Sequence, residues 1–199
     1  MKSIAILHNE GSILSALSQW SQQTGEALPD LLVECGEQPL LAHILNLDTP
    51  PQYPGLRGAL VDPDRWPELA ISHENAPAPI LLAPAQGIAP AHAAMALRRL
   101  QLSPRAPARI ALLLDLAKME DWFPVLAGLD ETLVIWDAAL PFFGDATRLD
   151  AWARLLLETR ERWRGIFAHN SSGDAAPSGT PAFPDTFGSV TWLRHAPAA

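Results

Sequence analysis

An almost uninterrupted apolar run occupies residues 108–114 and ends on the carboxylate of Asp115. It follows Pro107, and polar residues do not alternate with apolar ones along it. A strand with one wet face alternates in this way, whereas a strand covered on both faces is apolar throughout. The run therefore predicts a central strand of a parallel sheet with helices on both sides.

Five further apolar runs predict strands at residues 4–7, 31–33, 58–61, 80–83 and 132–136. The six candidate strands begin about 20 to 30 residues apart, with mostly helical patterns between them. This spacing is typical of repeated right-handed βα units. We predict a three-layer α/β/α sandwich with a mostly parallel sheet of five to six strands, Rossmann-like or flavodoxin-like.

The helical patterns between the strands are clearest at residues 13–24, 90–100 and 145–167. In the last of these, an apolar stripe at helical spacing includes Trp163 and Phe167. Beyond it the chain is rich in Pro, Gly, Ser and Ala, a composition typical of a linker or tail. We predict one α/β domain over residues 1–168 and a C-terminal tail over 169–199, with a short edge strand at 187–193.

The charge and composition exclude several classes of partner. The formal net charge is −8, which argues against binding to nucleic acid, because phosphate backbones are bound by clustered Lys and Arg. No apolar stretch is long enough to cross a bilayer, and the first apolar run is too short for a signal peptide. The sequence thus predicts a cytoplasmic protein with no membrane insertion. Cys35 is the single cysteine, which excludes an internal disulfide.

Acidic residues follow several predicted strands, at the edge of the sheet where ligands bind in open α/β folds. The four ligand or metal candidates are Glu10, Asp62, Asp64 and Asp115. His8, Glu34 and Asp137 also stand at strand ends. Together such carboxylates could hold a divalent cation, or one of them could act as a base with a raised pKa. The alternative is that they cap helices or face water.

The sequence contains no complete catalytic or cofactor motif. The Walker pattern, the Gly-x-Gly-x-x-Gly fingerprint and the Gly-x-Ser-x-Gly elbow do not occur. His43, His73 and His92 lack the short spacings of zinc ligands. We therefore assign no cofactor-binding residue, and the cofactor, if the protein uses one, is unknown.

Glu10 after the first strand and Asp62 at the end of the predicted third strand resemble the acidic pattern of a response-regulator receiver domain. That family has a second acid beside the first, a Ser or Thr after the fourth strand and a Lys after the fifth. The corresponding positions here are Asn9, Ala83-Pro84 and Asp115-Leu116, with Lys118 displaced. The resemblance implies a degenerate receiver that is not phosphorylated in the normal way.

Aromatic residues in loop-like contexts and an arginine-bearing helix are candidates for protein contacts, since aromatic residues and Arg are enriched at binding hot spots. These candidates are Trp122, Phe123, Phe142, Phe143, Arg154 and Arg164. The first functional hypothesis is a non-catalytic accessory or regulatory protein, which acts through an unidentified protein partner on a degenerate receiver-like or nucleotide-binding-like scaffold. The alternative is a small-molecule-binding protein or metal-assisted enzyme with an acidic site at the carboxyl edge of the sheet. The sequence leaves a homo-oligomer open.

Overall fold

The computed structural model describes residues 1–9, 13–36, 40–47, 53–84, 86–139, 154–155, 157, 159–170 and 190–193. Its described strands form one seven-stranded sheet, and neighbouring strands all run parallel. The strands are β1 (Lys2–His8), β2 (Leu31–Cys35), β3 (Ile80–Leu81), β4 (Arg109–Asp115), β5 (Glu131–Asp137), β6 (Trp163–His169) and β7 (Thr191–Trp192).

The strand order is β3-β2-β4-β1-β5-β6-β7, so β1 lies between β4 and β5. A Rossmann sheet places its first strand between strands 2 and 4, and a flavodoxin-like or receiver sheet places it between strands 2 and 3. The observed order differs from both because β4 is inserted beside β1. The predicted class, a Rossmann-like α/β sandwich with a parallel sheet, is confirmed.

Helices cover both faces of the sheet. The described α-helices are α1 (Ile13–Thr24), α2 (Leu40–Ile44), α3 (Gly55–Val61), α4 (Trp66–Leu69), α5 (Pro90–Leu102) and α6 (Phe123–Leu126). Two 3₁₀ segments, Pro63–Arg65 and Leu116–Trp122, precede α4 and α6. Buried residues of α1 and α2 join one core cluster, and those of α3, α5 and α6 join the other.

The central position of β4 explains its unbroken apolar sequence. Ile110, Leu112 and Leu114 point into the α5 side, and Ala111 and Leu113 point into the α1 side. All five are at most 1% exposed. Both faces of β4 are therefore covered, as the run at residues 108–114 predicts.

The predicted third strand at residues 58–61 is wrong, because this segment belongs to helix α3. Leu56 and Ala59 are buried three residues apart, whereas Arg57 and Val61 are exposed four residues apart. That is a helical periodicity, but an apolar run of four residues is too short to distinguish a helix from a strand. Asp62 therefore follows a helix, and the receiver resemblance loses its strand-end aspartate.

The predicted helix over residues 145–167 is wrong in its last part, where Trp163–His169 form β6. Residues 154, 155, 157 and 159 are helical. Trp163 and Phe167 contact opposite core clusters, because the register between β5 and β6 shifts between Thr132 and Leu133. They therefore do not form the single apolar stripe that a helix would present. Phe167 packs edge-on against Trp20, with ring centroids 6.2 Å apart.

Strand β7 lies at one edge of the sheet, inside the range 187–193 where the sequence favours an edge strand. The division into a domain and a tail stays a prediction. Within the described residues, no helix is both long and apolar enough to span a membrane.

Candidate functional site

The carboxyl ends of β1 and β4 form a topological switch point, because the connections that leave these two neighbouring strands run in opposite directions across the sheet. Helix α1, which follows β1, packs on one face, and the segment after β4 packs on the other through Leu116 and Met119. β1 and β4 are neighbours in register from Lys2 to His8. In open α/β sheets the ligand crevice forms at such a switch point, which makes this edge the candidate site.

Five titratable side chains lie on the α1 face of this edge. They are Glu34, Asp115, His8, Asp137 and His169, in the order of their strands across the sheet. Strand alternation places them there, because each lies two residues beyond a residue that packs on the α1 side. His8 is in register with Asp115, and Asp137 is in register with His169. We call these five residues the carboxyl row.

Asn9, directly after β1, ties the row to the end of β5. Its side-chain oxygen accepts a hydrogen bond from the backbone N–H of Asp137 at 2.8 Å, and its side-chain nitrogen donates to the carbonyl of the same residue at 3.1 Å. Asn9 is 4% exposed. Both the oxygen and the nitrogen of its amide thus hold the ends of β1 and β5 together.

Glu34, at the β2 end of the row, binds backbone groups of α2 and of the segment after β3. One of its carboxylate oxygens accepts from the N–H of Leu41 in α2 at 2.6 Å, and the other accepts from the N–H of Ala83 after β3 at 3.3 Å. Glu34 is 4% exposed, so these bonds are shielded from water. The carboxylate positions the first turn of α2 against the sheet.

We expect Glu34→Gln to lower the free energy of unfolding by about 1–3 kcal/mol, because one N–H donor then faces an NH₂ group and lies buried without an acceptor. Urea unfolding monitored by tryptophan fluorescence measures the change. Glu120→Gln is the matched control, since Glu120 is an exposed glutamate. If Glu34→Gln were as stable as the wild-type protein, this role for the carboxylate would be contradicted.

The two aspartates of the row cap the segments that follow their strands. The Asp115 carboxylate accepts from the N–H of Ala117 at 2.7 Å, and the Asp137 carboxylate accepts from the N–H of Ala139 at 3.0 Å. Such caps are the ordinary structural use of a strand-end aspartate. Asp115 therefore takes the helix-capping alternative that the sequence left open.

Burial suppresses the acid–base and nucleophilic chemistry of two side chains here. It lowers the pKa of His8 to about 4, so the imidazole is neutral at pH 7. Burial, and secondly the charge of Glu34, raise the pKa of the Cys35 thiol far above its usual range. The thiolate is the reactive form of cysteine, and Cys35 is therefore inert as a nucleophile.

The structure separates the acidic candidates. Asp64 accepts a hydrogen bond from Ser103, which directly follows the end of α5, and α5 leads to the amino end of β4. Asp115 lies at the opposite end of β4, roughly 20 Å away by the rise of a seven-residue strand. The predicted convergence of Asp62 and Asp64 with Asp115 is therefore wrong, since α3 carries them to the other edge.

Glu10 lies outside the described residues, which contain no group of three or more His, Cys, Asp or Glu side chains able to hold a metal.

Two of the four aromatic contact candidates lie in the core. Trp122 and Phe123 are 3% and 5% exposed and belong to the cluster on the α5 side, so neither can anchor a partner without unfolding. The Arg154 guanidinium stacks over the Phe123 ring at 4.9 Å. Phe142 and Phe143 lie outside the described residues.

Arg164 belongs to an ionic network at the amino edge of the sheet. Its guanidinium pairs with Glu26 at 2.7 Å and lies 3.8 Å from Glu131. Glu26 also pairs with Arg109, and Glu131 pairs with Lys2 at 2.9 Å. The network joins β1, β4 and β5 through their first residues and β6 through its second, and Arg164 is paired within the fold, so it is not a free contact residue.

No protein-family model matches the sequence, and no curated protein sequence matches it. Solved structures share its fold. The chimerical protein CapA2B2 has a TM-score of 0.58 at 16% identity, over 84% of this chain and 75% of that one. Cobyrinic acid a,c-diamide synthase from Mycobacterium smegmatis, with bound ADP and magnesium, has a TM-score of 0.54 at 14% identity, over 84% and 74%. The MinC:MinD cell division complex from Aquifex aeolicus has a TM-score of 0.52 at 14% identity, over 85% and 68%.

These neighbours are P-loop α/β proteins of the ParA/MinD type, and at such low identity they show the fold alone. The chain therefore shares the fold of these neighbours, and its sequence lacks the Walker pattern. Only Asn9 and residues 10–12 connect β1 to α1, and none of the four is Lys or Arg.

Sequence reasoning misses His169 as a member of the carboxyl row because it assigns the preceding residues to a helix. No local spacing gives the missing signal, because Trp163 packs on the α5 side of the sheet and Phe167 on the α1 side. Glu34 and Asp137 are visible as strand-end acids in the sequence, but the backbone groups that they bind come from distant segments.

Proposed function

We propose that this protein is a non-catalytic accessory or regulatory protein, which uses a nucleotide-binding-like scaffold for protein contacts and does not bind nucleoside triphosphates. The observation that carries the proposal is the carboxyl row. Its three acids occupy the edge where the scaffold would present a ligand.

The charge at this edge opposes a polyphosphate. Phosphate sites in α/β proteins combine backbone N–H groups at a helix N-terminus with Lys or Arg side chains. Here neither Lys nor Arg stands among residues 8–9, 34–36, 115–117, 137–139 and 169–170, which end the five longer strands. A bound triphosphate would instead meet the carboxylates of Glu34, Asp115 and Asp137.

The polar groups of this edge are also engaged within the fold. Asn9, Glu34, Asp115 and Asp137 all hydrogen bond to backbone groups. A ligand would have to displace these bonds, each worth about 1 kcal/mol or more. The edge is thus built to fix strand ends, which supports a structural use of the scaffold.

The protein-contact half of the proposal draws on the fold neighbours. One of them, MinD, is solved in complex with the protein MinC. A scaffold that is shared with such a protein, and that carries acids at its ligand edge, suits a role in which a partner protein is bound.

We expect titration with Mg-ATP and Mg-ADP to give no binding heat and no rise in melting temperature at about 1 mM nucleotide. A ligand with a Kd of about 10 µM would stabilise the native state by about 2.7 kcal/mol at that concentration, which a thermal-shift assay detects. Isothermal titration calorimetry on the full chain is the primary measurement. Saturable binding of either nucleotide, or phosphate release above a no-protein blank, would overturn the proposal.

A further inference from the structure

Helices α3 and α5 form a surface whose charge is opposite in sign to the net charge of the chain. Together they carry three arginines and no acidic residue, in a chain whose net charge is −8. Their outer positions also carry exposed apolar side chains. We call these residues the α3–α5 surface: Arg57, Val61, Met95, Arg98, Arg99 and Leu102.

The three apolar side chains of this surface are largely exposed to solvent. Val61, Met95 and Leu102 are 73%, 56% and 76% exposed. They make up half of the large hydrophobic side chains that are exposed in the described part of the chain. Exposed apolar groups that are gathered on one surface and flanked by charge are typical of a binding site.

Helical periodicity aligns these residues. Arg57 and Val61 are four residues apart on α3. Met95 and Leu102 are seven residues apart on α5, with Arg98 and Arg99 between them, so they share its outer face. The opposite face of α5 carries Ala93, Ala96, Leu97 and Leu100, all in the core cluster that also includes Leu56 and Ala59 of α3.

The two helices lie side by side and end at the same level. Ser103, after α5, donates to the carboxylate of Asp64, and Arg105 Nη1 donates to the Asp64 carbonyl at 3.0 Å. Asp64 lies three residues beyond the end of α3. The outer faces of α3 and α5 are therefore parts of one continuous surface.

Neighbouring acids do not neutralise these arginines. Glu68 pairs with Arg65 at 3.0 Å and lies 3.5 Å from Arg105. The Asp62 carboxylate accepts from the N–H of Asp64 at 3.3 Å. Within the described ranges, no carboxylate lies within ion-pair distance of Arg57, Arg98 or Arg99, and their positive charge is available to a partner.

We propose that the α3–α5 surface binds an acidic amphipathic segment of a partner protein, a proposal that rests on the proposed function and names the chemistry of its partner. Apolar side chains of the segment, at helical spacing, cover Val61, Met95 and Leu102. Its carboxylates pair with the three arginines in bidentate geometry. A short peptide carries few charges, so it avoids most of the repulsion that a molecule of charge −8 exerts on a polyanion or an anionic bilayer.

A random peptide library displayed on phage tests this with the full chain as bait. We expect the enriched peptides to be acidic, with apolar residues three or four positions apart. A synthetic copy of the strongest peptide is then bound to each variant of the full chain. We expect Arg98→Glu to lower the affinity for this peptide about tenfold and Leu102→Ser to lower it several-fold, as for residues at the centre of an interface. Fluorescence anisotropy gives the affinities.

Two matched controls separate this surface from general effects of charge and exposure. Leu157→Ser removes an apolar side chain that is 75% exposed, against 76% for Leu102. Arg160→Glu reverses an exposed arginine outside the surface. We expect both variants to bind the peptide within about twofold of wild type.

Four results with peptides or with the protein alone would overturn the proposal. They are a selection that enriches nothing, enriched peptides that are not acidic, control variants that weaken binding as much as Arg98→Glu, and self-association in light scattering that Arg98→Glu abolishes. Arg98-dependent pelleting with vesicles of phosphatidylglycerol and phosphatidylcholine, or Arg98-dependent binding to duplex DNA, would also overturn it in favour of those ligands. Nucleotide titration of the same preparation keeps the two proposals apart, because Mg-ATP binding would refute the proposed function whatever the peptides do.

Discussion

Gly55→Ala should lower the free energy of unfolding by roughly 3–5 kcal/mol, the sum of backbone strain and a steric clash. Gly55 begins α3 with φ +47°, and a Cβ there would lie 2.2 Å from the carbonyl oxygen of Leu82. That oxygen cannot move freely, since it accepts the N–H of Leu56 at 3.0 Å. The ring of Tyr53 would be 3.0 Å away on another side. Urea unfolding monitored by tryptophan fluorescence measures the loss.

Gly25→Ala separates the two causes. Gly25 has φ +71°, but a Cβ there meets nothing within 4 Å. Only the backbone strain remains, and we expect a loss of about 1–2 kcal/mol. If the two variants lost the same stability, close contact between α3 and the end of β3 would not be what requires glycine at position 55.

Prediction of the fold from the sequence depends on how many neighbours each element has. β4 is covered on both faces, so consecutive residues of its sequence are apolar. This apolar run predicts the strand correctly. Strand β6 has Trp163, Gly165 and Phe167 only partly buried. Its pairing with β5 decides its conformation, and no local pattern contains that information. Tertiary pairing therefore overrides the helical spacing of Trp163 and Phe167.

Prediction of the candidate site fails for a related reason. Asp115 is placed at the carboxyl edge because β4 is predicted correctly. Asp62 and Asp64 are misplaced because one error, a strand assigned to α3, moves both to the wrong edge. The bonds of Glu34 to Leu41 and Ala83 join three segments that lie up to 49 residues apart in the sequence. Strand-end position is visible in a sequence, whereas the partner of each acid is not.

The carboxyl row and the α3–α5 surface have opposite chemistry. The acids at the ligand edge are bound to backbone groups of their own fold, whereas the arginines of α3 and α5 face solvent. The two proposals together imply that this protein binds its partner through the helical layer and not through the carboxyl edge of the sheet.

Lowering the pH should destabilise the protein through His8, by roughly 2.5 kcal/mol between about pH 7.5 and 4.5. Burial lowers the pKa of His8 to about 4 in the folded state, against 6.5 for the unfolded chain. Above pH 6.5 the imidazole is neutral in both states, so stability does not change. Between pH 6.5 and 4 only the unfolded state takes up the proton, and each pH unit costs about 1.4 kcal/mol. Below pH 4 both states are protonated and the loss is complete.

His8→Gln isolates this contribution from that of the carboxylates, which also titrate in this range. The variant removes the imidazole, so its free energy of unfolding should fall less on acidification, by roughly 2.5 kcal/mol relative to wild type. His92→Gln is the matched control, because His92 is exposed on α5, and its pH dependence should follow wild type. Parallel curves for His8→Gln and wild type would mean that His8 accepts a proton within the fold, which its burial at 6% exposure opposes. The test therefore decides whether the end of β1 is as closed to water and charge as its packing indicates.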